Sequence, residues 1–317
     1  PIVMGSSPEE DANWKLYGWN TYSKEELNST SGASYIGTPS NITLQDSIGN
    51  TLPDTVAIFT VTNNYSSFRS RGFYSAGDGG GATWNATGNT DISLAGTHVV
   101  TEGKVYNANG YEYLLDISSG TVNVLQNGAK GTTIAKATTQ TETDYICLGQ
   151  VVNGIQNQLP IPVETDNNSD GQTGINPLVI EFKADVYRIG RSPIIPYNWT
   201  TYNFNNSRMF VTNANADGSI TGRLDGIRFG YDEIKARYDA VGDKGWWGSL
   251  SLTGCHFNDG MLYGDQTLSK AITDCYSGCG WLILNGQYNT FNRMVAEQFV
   301  WPAVTKKAEV EATVFAA

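Results

Sequence analysis

The stretch LTGCHF at residues 252–257 returns 20 positions later as ITDCYS at residues 272–277. An earlier version, LDGIRF, occupies residues 224–229. Each copy begins with an apolar residue and places a turn-forming Gly or Asp two positions later. A repeat near 20 residues, built of short apolar runs and turn residues, is typical of a parallel β-helix, in which each coil stacks on the next.

The repeat also predicts which side chains stack inside the coils. Equivalent positions are expected to form two inward columns, separated by corner residues at Gly226, Gly254 and Asp274. The first predicted column is Leu224, Leu252 and Ile272, and the second is Ile227, Cys255 and Cys275. Cys255 and Cys275 would then be neighbours, either as two small hydrophobic groups or as a disulfide.

Residues 231–247 lengthen the gap between the first two copies. Within them, Ile234, Tyr238 and Val241 recur at the spacing of one helix face. We therefore expect a short helix inserted between two coils.

Composition and charge exclude several classes of protein. The 20 basic and 31 acidic residues give a net charge of -11, which repels phosphate backbones, so nucleic acid is not an expected partner. Only 16% of residues are charged and 35 are glycine, which favours turn-rich β structure. No apolar stretch is long enough to span a membrane. The first ten residues lack a basic segment followed by an apolar one, so no signal peptide is expected.

Short apolar runs before and after a polar stretch indicate further strands. Residues expected to be strands are 56–61, 111–115, 122–125, 178–182, 186–189 and 209–211. Residues 133–160 are only weakly patterned, and residues 160–177 are typical of a linker, so we expect a domain boundary there.

Two motifs resemble cofactor or metal sites only in part. Residues 77–82 (GDGGGA) satisfy G-x-G-x-x-A, but no hydrophobic strand precedes them and no helix pattern follows. The glycines are better explained by positive φ and close backbone contact. Residues 166–171 match half of a calcium loop, but Pro177 stands where the final Glu is required. We expect neither a metal nor a cofactor.

The glycine-rich segment and a later one together resemble a known family. SRGFYSAGDGGGATW at residues 70–84 resembles the GYY-x-x-GDGGG-x-x-W/Y segment of bacteriophage tailspikes and related capsule depolymerases. Residues 184–196 resemble the G-x-Y-x-I … I-x-x-P opening of pectate-lyase-like β-helices. The chain departs from the family because the D-D-x-x-A-[IL]-x-x-A helix of many tailspikes is not found, and residues 85–177 look like an inserted β-rich unit.

The resemblance implies a mainly β fold: a right-handed parallel β-helix preceded by a β-rich domain and a short helical particle-binding segment. The expected domains are a particle-binding region (1–68), the glycine-rich motif with the β-rich domain (69–160), a linker (161–177), a short β-helix (178–304) and a C-terminal tail (305–317). The resemblance also implies a homotrimer in the virion tail, which is made in the host cytoplasm. Its N-terminal region is expected to join it to tail or baseplate proteins.

Polysaccharide cleavage requires two carboxyl groups for hydrolysis, or a base and a positive charge for elimination. Asp225 and Asp274 are expected in neighbouring columns roughly 10 Å apart, which makes them the predicted catalytic pair. Their alternative role is turn formation, since Asp is a preferred turn residue. Trp246 and Trp247, between glycines, form either an exposed sugar-binding wall or a plug over the core. Further expected substrate-binding residues are Asp259, Tyr263 and Trp281.

Three functions fit these observations. The first is attachment to a bacterial surface polysaccharide, with or without cleavage by a glycoside hydrolase or lyase activity. The second is a structural adaptor that joins a spike or fibre to the tail and has no sugar site. The third is a free bacterial polysaccharide lyase, against which the missing signal peptide and the aromatic N-terminus count. Exposed Trp and clustered acids on residues 225–300 would favour the first.

Overall fold

The structure is a computed structural model that divides into two compact units, Pro1–Asp116 and Ile117–Ala317. It describes residues 42–43, 56–74, 77–96, 103–133, 147–160, 163–164, 172–173, 177–211, 223–241, 250–265, 277–299, 301–305 and 314–316. No helix in these ranges is long and apolar enough to cross a membrane. The short helical segment expected near the N-terminus and residues 166–171 lie outside these ranges.

The described strands of the first unit are β1 (Ile42–Thr43), β2 (Val56–Ala57), β3 (Ser67–Arg69), β4 (Thr83–Thr90), β5 (Lys104–Tyr106) and β6 (Tyr111–Leu115). The unit is built around a four-stranded antiparallel sheet with the order β3-β4-β6-β5, and β1 and β2 pair separately. Phe68 is central to its core, because its ring meets Tyr113 edge-on at 4.9 Å and stacks on Trp84 at 6.3 Å. The prediction for 111–115 is confirmed. The strand expected over 56–61 is only two residues long, and a 3-10 helix, Ile58–Thr60, follows it.

The glycine-rich motif of the first unit is organised by one carboxylate. Asp78 accepts hydrogen bonds from the backbone N–H groups of Phe73, Tyr74 and Gly80, at 3.1, 2.7 and 2.7 Å. Gly77 and Gly79 have φ angles of 85° and 88°, which side chains rarely tolerate. The expected positive φ is therefore confirmed at Gly77 and Gly79, and strand β4 rather than a helix follows the motif.

In the second unit the described strands form four parallel sheets and one antiparallel pair. The strands are β7 (Thr121–Asn123), β8 (Val163–Glu164), β9 (Gln172–Thr173), β10 (Leu178–Glu181), β11 (Val186–Ile189), β12 (Thr200–Asn203), β13 (Arg208–Val211), β14 (Ile227–Phe229), β15 (Leu252–Thr253), β16 (His256–Asn258), β17 (Met261–Tyr263), β18 (Cys279–Ile283), β19 (Gly286–Gln287), β20 (Thr290–Asn292), β21 (Val295–Glu297), β22 (Trp301–Thr305) and β23 (Val314–Ala316). The helices are α1 (Leu148–Gln156) and α2 (Tyr231–Val241).

The chain runs through the four parallel sheets in turn. Sheet A has the order β23-β20-β16-β12-β10-β7, sheet B β11-β13-β17-β21, sheet C β14-β18-β22 and sheet D β15-β19. After β12 in sheet A, the chain enters sheet B at β13 and sheet C at β14, passes through α2 and sheet D, and returns to sheet A at β16. The predicted strands around β10, β11 and β13 are confirmed.

A column of apolar side chains runs through the middle of sheet A. Its members are paired in register and almost fully buried: Val122, Ile180, Tyr202, Phe257 and Phe291. The rings of Tyr202 and Phe257 stack at 4.9 Å, and those of Phe257 and Phe291 at 4.7 Å. The stacking follows from the parallel register, which places equivalent side chains directly above one another.

The register contradicts the columns predicted from the repeat. Leu252 pairs with Gly286, and Ile227 pairs with Trp281 in sheet C, so Ile227 does not share a column with Cys255. Leu224 bridges to Ser277. The repeat misleads because coil length varies: Val186 pairs with Arg208, whereas Met261 pairs with Val295. Cys275 and Ile272 lie outside the described residues, and Cys255 is a free, buried thiol.

Of the two α-helices described in the second unit, one was predicted from the sequence and the other was not. Helix α2 is confirmed between β14 and β15. Helix α1 was not predicted, because its sequence LGQVVNGIQ contains two glycines and lacks charged residues. Its apolar side chains are buried, and Asn153 ties it to the coils by donating to Pro193 O at 3.0 Å and accepting from Ile195 N at 2.9 Å.

Candidate functional site

A cluster of charged side chains lies where sheet C leads into α2. Asp225 precedes β14, Arg228 is the central residue of β14, and Glu233 lies in the first turn of α2. Ile227 and Phe229 are fully buried on the inner face, so the alternation of a strand turns Arg228 to the outer face. We call Asp225, Arg228 and Glu233 the Asp225 cluster.

Arg228 connects the two carboxylates of the cluster. Its Nε lies 3.2 Å from Glu233 Oε1, and its Nη1 lies 3.8 Å from Asp225 Oδ2. Its Nη2 also lies 2.5 Å from Asp232 Oδ2, at the exposed side of the cluster. Glu233 accepts a hydrogen bond from Gly230 N at 2.7 Å, which fixes the start of α2.

Asp225 is the most enclosed carboxyl of the cluster, with 11% of its side chain exposed. Burial raises the pKa of this carboxyl, and the hydrogen bond from Cys279 N and the charge of Arg228 oppose the rise only in part. A carboxyl group with a raised pKa holds its proton closer to neutral pH and is suited to general acid catalysis.

The cluster supports two kinds of role. A carboxyl with a raised pKa, a second carboxylate and a guanidinium within contact distance supply the groups that glycosidic bond cleavage uses. The same ion pairs also fasten α2 to sheet C, which is a structural role. Among the described residues, no group of three or more His, Cys, Asp and Glu side chains is arranged to hold a metal ion.

Three of the predicted site residues lie outside the described ranges: Asp274, Trp246 and Trp247. The expected pairing of Asp225 with Asp274 and the expected Trp wall therefore stay predictions. The structure instead brings Arg228 and Glu233 to Asp225. Sequence reasoning missed both, although their spacing across the end of a strand and the start of the predicted helix was a usable signal.

The other predicted residues lie on different sheets. Asp259 is at the corner between sheets A and B, where its Oδ1 lies 2.5 Å from Arg293 Nε. Tyr263 is on the outer face of sheet B, stacked on Phe210 at 5.4 Å. Trp281 is 8% exposed and stacks on Phe291 at 5.2 Å, so its ring faces the interior.

Comparison with known proteins gives two matches of different strength. No protein-family model matches the chain. The sequence is 34% identical over 262 residues to a probable tail spike protein of Klebsiella phage 0507-KN2-1, covering 82% of this chain and 20% of that protein. This chain thus spans about a fifth of the length of that relative. Among solved structures, the enzymatically active domain of tailspike protein 4 of bacteriophage CBA120 matches 90% of this chain and 35% of its own, with 14% identity and a TM-score of 0.34.

Proposed function

We propose, from the premise that this chain is a homologue of a phage tail spike protein, that it is a component of a virion tail and attaches the particle to a bacterial surface polysaccharide. The observation that carries the proposal is the 34% identity over 262 residues.

The second unit is proposed to be a right-handed parallel β-helix. All strand pairs in sheets A, B, C and D are parallel, and the chain runs through these sheets in turn. Both observations support a coiled path. The right hand is the one that parallel crossover connections adopt in nearly all proteins. A parallel β-helix offers a long, stiff surface along its axis, which suits an extended polymer.

The assembly is proposed to be a homotrimer with the three β-helices side by side, as the resemblance to tailspikes implies. Residues 1–68 are the proposed contact with tail or baseplate proteins. The domain boundaries at 160 and 177 and the tail at 305–317 belong to the same proposal.

The polysaccharide is proposed to be cleaved at the Asp225 cluster. Asp225 is the general acid, because its pKa is raised while Arg228 keeps a positive charge beside it. The second carboxylate is Asp274, which the sequence indicates, or Glu233, which the structure adds. Trp246, Trp247, Asp259 and Tyr263 are the proposed substrate-binding residues outside the cluster.

Purified protein incubated with surface polysaccharides of Klebsiella strains tests this function. Binding is measured by affinity electrophoresis, and shorter oligosaccharides are sought by mass spectrometry. We expect binding to at least one polysaccharide and cleavage that Asp225→Asn abolishes while binding is kept. An unsaturated sugar at the new end identifies a lyase, and its absence identifies a hydrolase.

Other results separate the alternatives. Binding without products supports attachment and overturns cleavage at Asp225. A folded protein that binds no polysaccharide overturns the attachment function and favours the structural adaptor. Loss of binding in the paired variant Trp246→Ala and Trp247→Ala supports the tryptophan wall, and unchanged binding contradicts it.

A further inference from the structure

Helix α2 faces the coils with charged side chains and faces solvent with aromatic ones. Tyr231 and Tyr238 are seven positions apart and therefore share one face, whereas Glu233 and Arg237 lie on the opposite face. Tyr231 is 69% exposed and Tyr238 is 49% exposed.

The inward face of α2 is held by Arg237. Its Nη1 donates to Asn198 Oδ1 at 2.8 Å and to Ser251 O at 3.1 Å. Its guanidinium lies over the ring of Phe229, 4.6 Å from the ring centre, and 5.5 Å from that of Tyr197. Because Arg237 fills the position facing the core, the tyrosines are displaced to the solvent side.

The outward face forms a continuous stripe of Tyr231, Lys235, Tyr238 and Asp239, which we call the α2 stripe. The Nζ of Lys235 lies 2.5 Å from Asp239 Oδ2, and more than half of each of these two side chains is exposed. The stripe thus carries two exposed rings and a neutralised ion pair. Seven residues of helix separate the ring positions by about 10 Å, which is long enough for more than one sugar ring.

We propose that the α2 stripe is a polysaccharide-binding site, in which Tyr231 and Tyr238 stack on two sugar rings of one extended chain and the Lys235–Asp239 pair hydrogen-bonds to hydroxyl groups between them. This inference rests on the proposed attachment function and names the surface that performs it. Tyrosine combines a flat apolar ring with a polar end, and exposed aromatic groups of this kind mark binding surfaces.

A glycan is the occupant that fits the stripe, for two reasons. First, the Lys–Asp pair leaves no net charge, so the stripe offers hydrogen bonds and ring faces rather than attraction for an acidic or basic polymer. Second, the stripe begins beside the Asp225 cluster: Asp232 follows Tyr231 in the chain, is 76% exposed and lies 2.5 Å from Arg228 Nη2. A chain bound along α2 would therefore pass the carboxyls proposed to cleave it.

The test compares binding of the unaltered chain with Tyr231→Ala, Tyr238→Ala and the double variant, using a Klebsiella surface polysaccharide that the unaltered chain binds. Tyr288→Asn is the matched control, because Tyr288 is 58% exposed but lies outside α2, and Asn tolerates its φ of 53°. We expect each single variant to raise the Kd by about fivefold to tenfold, the double variant to abolish measurable binding, and the control to bind normally.

Unchanged thermal midpoints will show that the exposed substitutions leave the fold intact. The paired variant Tyr231→Phe and Tyr238→Phe keeps both rings and is expected to bind, and its failure would overturn stacking. Normal binding by the double alanine variant overturns the α2 stripe and leaves the attachment function standing. Absence of binding by the unaltered chain to every polysaccharide overturns both.

Discussion

The Oδ1 of Asp225 accepts a hydrogen bond from the backbone N–H of Cys279 at 2.7 Å, which joins the starts of two adjacent strands of sheet C. Arg228 lies 3.8 Å from the other carboxylate oxygen. Both oxygens therefore have a partner, yet burial still raises the pKa of the group. The carboxyl that is best suited to carry a proton is also the one that the fold fixes most firmly.

The raised pKa of Asp225 makes stability depend on pH. The folded pKa lies above the ordinary value of 3.8, so the folded state binds more protons and the free energy of unfolding falls as pH rises through that interval. Asp225→Asn keeps an oxygen for the Cys279 N–H but does not titrate. We expect it to lose this part of the decline in urea unfolding midpoints as pH rises above 3.8.

Asp91 in the first unit provides a control of opposite sign. The side-chain hydrogen bond from Ser93 lowers the pKa of Asp91, so its contribution to stability is present above 3.8 and is lost as pH falls. Asp91→Asn is therefore expected to remove a part of the stability that the unaltered protein loses as pH falls below 3.8. A pH profile for Asp225→Asn that runs parallel to the unaltered protein would contradict the raised pKa.

Phe257 is the central ring of the sheet A column. Phe257→Ala removes a fully buried side chain that stacks on Tyr202 and Phe291, and we expect a loss of about 3–5 kcal/mol in the free energy of unfolding. Phe210→Ala is the matched control, because Phe210 stacks on Tyr263 from the outer face of sheet B and should cost about 1 kcal/mol. Equal losses in urea titrations would show that the column is not a special source of stability.

Local patterns predicted the elements better than their pairing. The short apolar runs of β10, β11 and β6 and the helical spacing of α2 are properties of short segments, and those elements were found. Register depends on how many residues each corner holds. The similarity of 252–257 to 272–277 suggested Ile272 as the neighbour of Leu252, whereas the structure pairs Leu252 with Gly286.

The candidate site was predicted in part for the same reason. Asp225 could be chosen because it stands at a corner of the repeat. The spacing of Arg228 and Glu233 was a signal that they could lie near Asp225, but the contacts themselves depend on the angle at which α2 leaves β14. The spacing of Ile234, Tyr238 and Val241 indicated a helix, but the residue of α2 that contacts Asn198 and the Phe229 ring is Arg237.

Arg237 is expected to control the rigidity of α2. Arg237→Ala removes two hydrogen bonds and the contact with the Phe229 ring, at a cost of about 2 kcal/mol. We expect the amides of α2 to exchange with deuterium faster, while those of sheet A keep their protection. Lys235→Ala, on the outward face of the same helix, should leave exchange unchanged. Slow exchange in Arg237→Ala would show that the Asp225 cluster alone holds the helix.

Gly254 is required by both its backbone and its neighbour. Its φ is 68°, and an added Cβ would lie 2.4 Å from the Trp199 ring, so Gly254→Ala combines backbone strain with a clash. We expect a loss of about 2–4 kcal/mol in the free energy of unfolding. Gly120→Ala is the control within the same unit, because Gly120 has a φ of 70° and only an ordinary contact, 3.6 Å from Pro177 O. We expect Gly120→Ala to lower the free energy of unfolding by about 1 kcal/mol. If urea titrations give the same loss for both, backbone strain alone explains Gly254 and the Trp199 ring has no part in it.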